Sequence, residues 1–274
     1  MPVSIVSTAT SQTATLTSSH AIARKALFAW AGIERIHIIG CSRSGTTMLH
    51  LAMGCFSNMM LSEDESGPLY PYLGERARLA LRVGWRPGRK FYVTKRDSGW
   101  YKPKHRDALV ALTRTENIGL IYMVRDPRDV MISRHAVSKH GSPEEAYVTP
   151  QHWYESIMAG EHIFHALADY PRKLLLRYED LVREPVKAEQ RMVDCFALTQ
   201  NPGAFPIDRV KDNYERLKIA FGSDQIMALN GLRNMSASSI GRWRAHPEEN
   251  PMGTAPPHIR EKLNAFSAEH GYSD

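Results

Sequence analysis

Ile36-His37-Ile38-Ile39-Gly40-Cys41-Ser42-Arg43-Ser44-Gly45-Thr46-Thr47-Met48-Leu49 reads as a strand, a short polar turn and the opening of a helix. The apolar run stops at Gly40, and an apolar periodicity of helical spacing starts at about Gly45. A strand-to-helix turn of this kind builds anion sites, because the first N–H groups of the helix have no partner within it. Here the turn also brings a guanidinium, Arg43, together with the hydroxyls of Ser44, Thr46 and Thr47. It is not a G-x-x-x-x-G-K-[ST] loop, since Thr46 stands where the Lys belongs. The anion expected on it is therefore not the triphosphate of a nucleoside triphosphatase.

Outward from this stretch, β-branched runs alternate with amphipathic patterns, the mark of βαβ units and a parallel sheet. Strands are expected at 35–40, 59–61, 90–94, 119–124 and 173–177. Helices are expected at 45–56, 69–83, 106–114, 128–139, 150–169, 185–197 and 257–270. The fold class is α/β, a three-layer parallel sheet with helices on both faces. Residues 1–32 read as an N-terminal arm and 33–274 as one α/β domain; 1–23 carry no Asp, Glu, Lys or Arg and match neither a signal peptide nor an Arg-rich transit sequence. Segments 199–208 and 230–258, rich in Pro, Gly, Ser and Asn, read as loops that close over a site.

Composition narrows the partners. A hydrophobic fraction of 43% over 274 residues supports a sizeable core and excludes a disordered chain. The net charge of +6 suits anionic ligands, but the basic residues are scattered rather than striped, so no nucleic acid partner is expected. No apolar run reaches spanning length. Cys41, Cys55 and Cys195 make neither a disulfide set nor a metal-ligand spacing, so a reducing, cytoplasmic setting is expected.

In an open parallel sheet, ligands bind beyond the carboxyl ends of the strands. The polar segments there are Ser42–Thr47, then Lys95-Arg96-Asp97-Ser98, then Arg125-Asp126-Pro127-Arg128-Asp129 with Ser133 following on the same helix, then Tyr178-Glu179-Asp180. Together these resemble the sulfotransferase family. Arg43-Ser44-Gly45-Thr46-Thr47 is similar to its 5′-phosphosulfate loop. Val124–Ser133 is similar to its 3′-phosphate segment, with an Arg at the strand end and a Ser eight residues on, here Arg125 and Ser133. Arg177-Tyr178-Glu179-Asp180-Leu181 resembles the element whose Tyr lies near the adenine, and Ile240-Gly241-Arg242-Trp243-Arg244 resembles the Gly-x-Trp element of the C-terminal loop.

The resemblance implies a P-loop-like fold and transfer of a sulfuryl group from 3′-phosphoadenosine 5′-phosphosulfate (PAPS) to a hydroxyl on a small molecule, glycan, lipid or peptide, by in-line displacement. Adenosine 3′,5′-bisphosphate (PAP) would be the product, and no metal is implied. Donor binding falls to Arg43, Ser44, Gly45, Thr46, Thr47, Arg125, Ser133, Tyr178 and Arg242. Many cytosolic relatives carry Lys at the Arg43 position; the Arg form is closer to protein-tyrosine and some bacterial sulfotransferases. Arg43 cannot hand over a proton and is expected to act as a fixed charge, with Lys95 stabilising the sulfuryl or leaving group. For the base, cytosolic relatives use a His after the third strand, where His105 is nearest. Tyrosine-sulfating relatives use a Glu after the second strand, where Ser62-Glu63-Asp64-Glu65-Ser66 stands. Glu65 is the expected base and Glu63 the next, with Asp64 and His105 left open.

Two other functions compete: a P-loop kinase or other nucleotide-dependent transferase, which should carry a Walker Lys and a magnesium Asp, and an idle donor-binding protein. Trp85, Trp100, Trp153 and Tyr70 are expected as core aromatics that could also stack on an acceptor ring.

Overall fold

Ile36, Ile38 and Ile39 are wholly buried, and they divide between two separate apolar cores. Successive side chains of a strand point to opposite faces, so β1 (Glu34–Gly40) must be covered on both sides. The computed structural model, which describes residues 34–54, 56, 59–62, 91–134, 147–199, 236–249 and 251–272, places β1 at the centre of a five-stranded sheet. The others are β2 (Met59–Leu61), β3 (Phe91–Asp97), β4 (Gly119–Val124) and β5 (Lys173–Arg177). The order is β2-β3-β1-β4-β5, and every pairing is parallel.

On one face, Ile36, Ile38, Ile121 and Met123 meet α1 (Thr46–Met53), α5 (Tyr178–Arg183) and α6 (Pro185–Phe196). On the other, Ile39, Leu120, Tyr122 and Val124 meet α2 (Pro103–Thr115), α4 (Pro150–Ala166) and α7 (Pro257–Glu269). The three-layer α/β architecture expected from the sequence is the one observed. Trp153 on α4 is fully buried, edge-on to Phe266 of α7; burying a side chain of this kind contributes about 1.5–3 kcal/mol. Gly160 sets the depth at which α4 lies: a Cβ there would come 2.6 Å from the Tyr122 ring of β4. That close approach carries the first turns of α4 up to the carboxyl end of β3.

The topology fixes where a ligand fits. After β1 the chain moves to β2 and β3 on one side, whereas after β4 it moves to β5 on the other. The switch point lies between the carboxyl ends of β1 and β4, where open α/β sheets bind ligands. Register brings Gly40 level with both Asp97 and Met123, so the loops after β1, β3 and β4 converge.

Several element bounds differ from expectation. β3 runs to Asp97, so Lys95 is a strand residue and not part of the following loop. α3 (Pro127–Met131) ends early, and Ser133 lies beyond it rather than on the same helix; Ser133 N bonds Val130 O in a tighter turn at 3.2 Å. Tyr178-Glu179-Asp180, the polar segment after β5, open the helix α5. The arm at 1–32 and the helix expected at 69–83 lie outside the described residues.

His37 is a core residue. Its Nδ1 lies 2.8 Å from Thr94 Oγ1 and its Nε2 2.6 Å from Tyr101 Oη. Burial, then the charge of Arg35, lowers it to about 3, so the ring is neutral at any ordinary pH. His50 on α1 is likewise buried, its Nε2 3.1 Å from Val93 O, and burial followed by the Lys95 charge takes it to about 3.

Candidate active site

The loop after β1 is held open by its backbone. Arg43 has φ of 68° and Gly45 of 92°, both left-handed, and Ser44 N donates to Cys41 O at 3.1 Å. This turn lifts the chain so that α1 starts at Thr46 with its first N–H groups facing the crevice. Glycine is required at position 45 on two counts: its φ is positive, and an added Cβ would lie 2.6 Å from the Tyr178 ring. Gly45→Ala is therefore expected to cost about 1–3 kcal/mol, read as a fall in Tm, with loss of PAP-induced stabilisation as the cradle shifts.

Two arginines meet across the switch point. Arg125, at the end of β4, is buried. It donates from Nη1 to Arg43 O at 3.0 Å and from Nη2 to Ser239 O at 2.6 Å, with its guanidinium 4.3 Å from the Tyr178 ring centre. Its Nε–H is buried without a partner among the described residues, a donor that an anion would satisfy. Arg43 donates from Nε to Ser133 Oγ at 3.0 Å and from Nη2 to Arg134 O at 2.8 Å. Burial, then repulsion from Arg125, lowers Arg43 to about 10, which leaves it charged at neutral pH. Arg128 is committed elsewhere: it forks onto Asp126 at 3.0 Å from both Nε and Nη2, and stacks 3.9 Å from the Trp243 ring.

The late segment is strapped over this crevice. Gly241 N and Trp243 N donate to the Asp129 carboxylate at 2.6 and 3.1 Å, and Tyr178 Oη lies 2.7 Å from Ser239 Oγ. At the neighbouring strand end, the buried Asp97 carboxylate accepts from Ser42 N (2.7 Å), Gly99 N (2.7 Å), Ser156 Oγ (2.7 Å) and His152 Nε2 (2.9 Å). Burial alone would raise its pKa. The bond and charge of His152, with the Ser42 and Ser156 bonds, outweigh burial and hold it at about 2.

A family model described as the sulfotransferase domain matches residues 34–203, more than half of the chain. The chain belongs to the sulfotransferase family. Among solved structures, it is similar to the sulfotransferase domain from the curacin biosynthetic pathway, at 15% identity and a TM-score of 0.55 over 88% of this chain and 98% of that one. It is also similar to the mouse sulfotransferase SULT7A1 complexed with PAP, at 13% identity and a TM-score of 0.50 over 88% of this chain and 86% of that one. At such identities these likenesses speak for the fold. No curated protein sequence matches the chain.

In this sulfotransferase the structure puts Arg43, Ser44 and Gly45 in the loop after β1 and Thr46 and Thr47 in the first turn of α1, with Arg125 and Ser133 bonded to Arg43 and the Tyr178 ring against Gly45. Lys95 is buried near the end of β3, and its charge is felt by His50 on α1. Arg242 is exposed on a turn whose neighbours Gly241 and Trp243 are tied to Asp129. His105 sits in the first turn of α2. Glu63, Asp64 and Glu65 lie outside the described residues, as do Tyr70 and Trp85. Trp153 is core, whereas Trp100 is 55% exposed, with Arg96 5.4 Å from its ring centre. Sequence reading missed Ser239 and His152 and gave Asp129 no role of its own, because their partners are remote in the chain and leave no spacing signal. No helix among the described residues is long and apolar enough to cross a membrane.

Proposed function

We propose that the protein transfers a sulfuryl group from PAPS to a hydroxyl of an acceptor. The observation that carries this reading is the paired-cation crevice. Arg43 and Arg125 sit at the switch point, joined through the Arg43 carbonyl, with Ser133 on the Arg43 guanidinium and a buried Arg125 Nε–H that has no partner among the described residues. Two cations with a hydroxyl and a helix N-terminus fit a ligand bearing two anionic groups better than one bearing a single group. The PAP-bound mouse relative supports that choice.

When bound, the donor would supply an activated sulfuryl group on a phosphate leaving group. The chain supplies positioning and charge, which dominate in related phosphoryl transfers. The α1 N-terminus and the hydroxyls of Ser44, Thr46 and Thr47 hold the 5′ end. A helix terminus of this kind contributes about 0.3–1 kcal/mol per charge. Arg125 and Ser133 take the 3′-phosphate, with Tyr178 and Arg242 on the nucleotide side. Arg43 is the fixed charge at the reacting centre, and reaching it requires sharing or releasing the Ser133 bond. Lys95 adds a second cation from β3. The free thiols of Cys41 and Cys195 suit a reducing, cytoplasmic setting.

Thermal shift distinguishes the competing functions. PAP at about 100 times its Kd should stabilise the fold by about 2.7 kcal/mol, a Tm rise on the order of 5 °C, while ATP with magnesium should give much less. Stabilisation by ATP and magnesium alone would favour the kinase reading. Donor binding with no sulfated product from any acceptor, followed by mass spectrometry, would favour an idle binding protein.

A further inference from the structure

We propose that His152, held by the buried carboxylate of Asp97, takes the proton from the acceptor hydroxyl. This rests on the sulfuryl-transfer reading and assigns its general base.

The placement follows from the fold. α4 leads into β5 and so runs antiparallel to the strands, which puts its first turn at the carboxyl edge of the sheet. Thr149 caps that turn through His152 N at 3.2 Å, fixing the backbone from which the imidazole projects. The ring reaches Asp97 at the end of β3, and the same carboxylate accepts the loop N–H of Ser42 at 2.7 Å. One carboxylate thus ties the imidazole to the start of the phosphosulfate loop, in which Arg43 is the next residue.

The chemistry is directional. Asp97 is ionised and can only accept, so His152 Nε2 carries a hydrogen and Nδ1 is the basic nitrogen. Exposure separates the two roles: 36% of the His152 side chain is open to solvent against 5% of Asp97. Asp97 is a positioning residue, and His152 is the catalytic one. His37 and His50 are excluded as bases because both rings are buried and hydrogen-bonded within the core.

In the step itself, the acceptor oxygen forms a bond to sulfur as the bridging sulfur–oxygen bond to the 5′-phosphate breaks. The leaving phosphate oxygen keeps that electron pair. The acceptor proton passes to Nδ1, leaving an imidazolium beside the Asp97 carboxylate, which then loses its proton to solvent. Asp97 of β3 and Cys41 of the loop after β1 each place an atom within 4.8 Å of a ring nitrogen, and the other charged or imidazole groups of the same elements are Lys95 and Arg96 on β3, Arg43 in the loop, and Glu155, Glu161, His162 and His165 on α4. Burial, then Asp97, pushes the Cys41 thiol up, so it stays protonated and adds no charge.

The test uses the full chain and sulfuryl transfer to 2-naphthol or, where that phenol is not turned over, hydrolysis of PAPS with water as acceptor. His152→Gln, which keeps a donor for Asp97, should lower kcat by about 10²–10³-fold with an unchanged Tm rise on adding PAP. Asp97→Asn should lower kcat and move the acid limb of the pH–rate profile to lower pH, because the charge favouring the imidazolium is gone. Independently of turnover, nitrogen-15 spectra of the ligand-free protein should place the His152 hydrogen on Nε2, with that tautomer lost in Asp97→Asn. A kcat for His152→Gln within about threefold of the parent overturns the proposal, and loss of turnover in Glu65→Gln alongside it would move the base to the acidic segment after β2. Loss of PAP stabilisation together with kcat in His152→Gln also overturns it, by making the residue structural. A parent protein that PAP does not stabilise would instead count against the donor reading.

Discussion

Arg43→Ala is expected to lower sulfuryl transfer by about 10³-fold while the fold is retained. The size follows from what a pre-organised charge does at a reacting centre, where losing one stabilising donor costs about 10²–10³ in kcat and a full charge sits at the upper end. Arg43 is partly exposed and packs into neither core, so its removal deletes bonds to Ser133 Oγ and Arg134 O without opening a cavity. Its backbone φ of 68° is no obstacle to the test, since Arg itself already bears that strain. With its pKa lowered only to about 10, the guanidinium stays charged below about pH 9 and imposes no pH dependence of its own there. Arg43→Lys keeps a charge but loses the fork that reaches both Ser133 and Arg134, so it should recover only part of the loss. The measurement is kcat at saturating donor, with circular dichroism as the folding control; turnover of Arg43→Ala within a few-fold of the parent would remove the residue from the mechanism.

Strands such as β4 were legible because they are continuous apolar runs bounded by polar residues, the pattern of a strand buried on both faces. β3 was legible only to Thr94, since Lys95-Arg96-Asp97 reads as solvated loop by composition. Those charges belong to the strand because the sheet's carboxyl edge supplies partners for them: His152 and Ser42 for Asp97, the Trp100 face for Arg96. The loop of Arg43 and the spacing of Arg125 and Ser133 were readable for the same reason, as local strand-end features. What joins them was not. His152 reaches Asp97 across 55 positions, and Arg125 reaches the Ser239 carbonyl across 114. Local periodicity carries no trace of such pairs; only the strand order, with β1 between β3 and β4, brings their elements to one edge. Trp100 and Trp153 make the same point, since two tryptophans alike in sequence context differ because one faces α7 and the other ends a turn at the sheet edge.

Arg125→Lys should weaken PAP binding by about 10²-fold although the charge is kept. The guanidinium at this position acts through its shape. Nη1 and Nη2 hold the Arg43 and Ser239 carbonyls, and the plane lies over the Tyr178 ring, so Nε–H is aimed without rotational freedom. A lysine ammonium has no planar fork, and on its flexible stem it can satisfy only part of this set. Hydrogen bonds to charged groups are worth about 1.5–3 kcal/mol each, and losing one aimed bond to a phosphate at the upper end of that range gives the stated hundredfold. The carbonyls of Arg43 and Ser239 would also lose their clamp, so the loop after β1 and the late segment should loosen together. Calorimetric titration with PAP checks the affinity, and amide exchange at residues 42–45 and 237–241 checks the loosening. The two readouts separate the roles: weakened binding without faster exchange leaves Arg125 as a ligand for the phosphate alone. Faster exchange with unchanged affinity would instead make it a strut between the two segments and would move the second phosphate off this crevice.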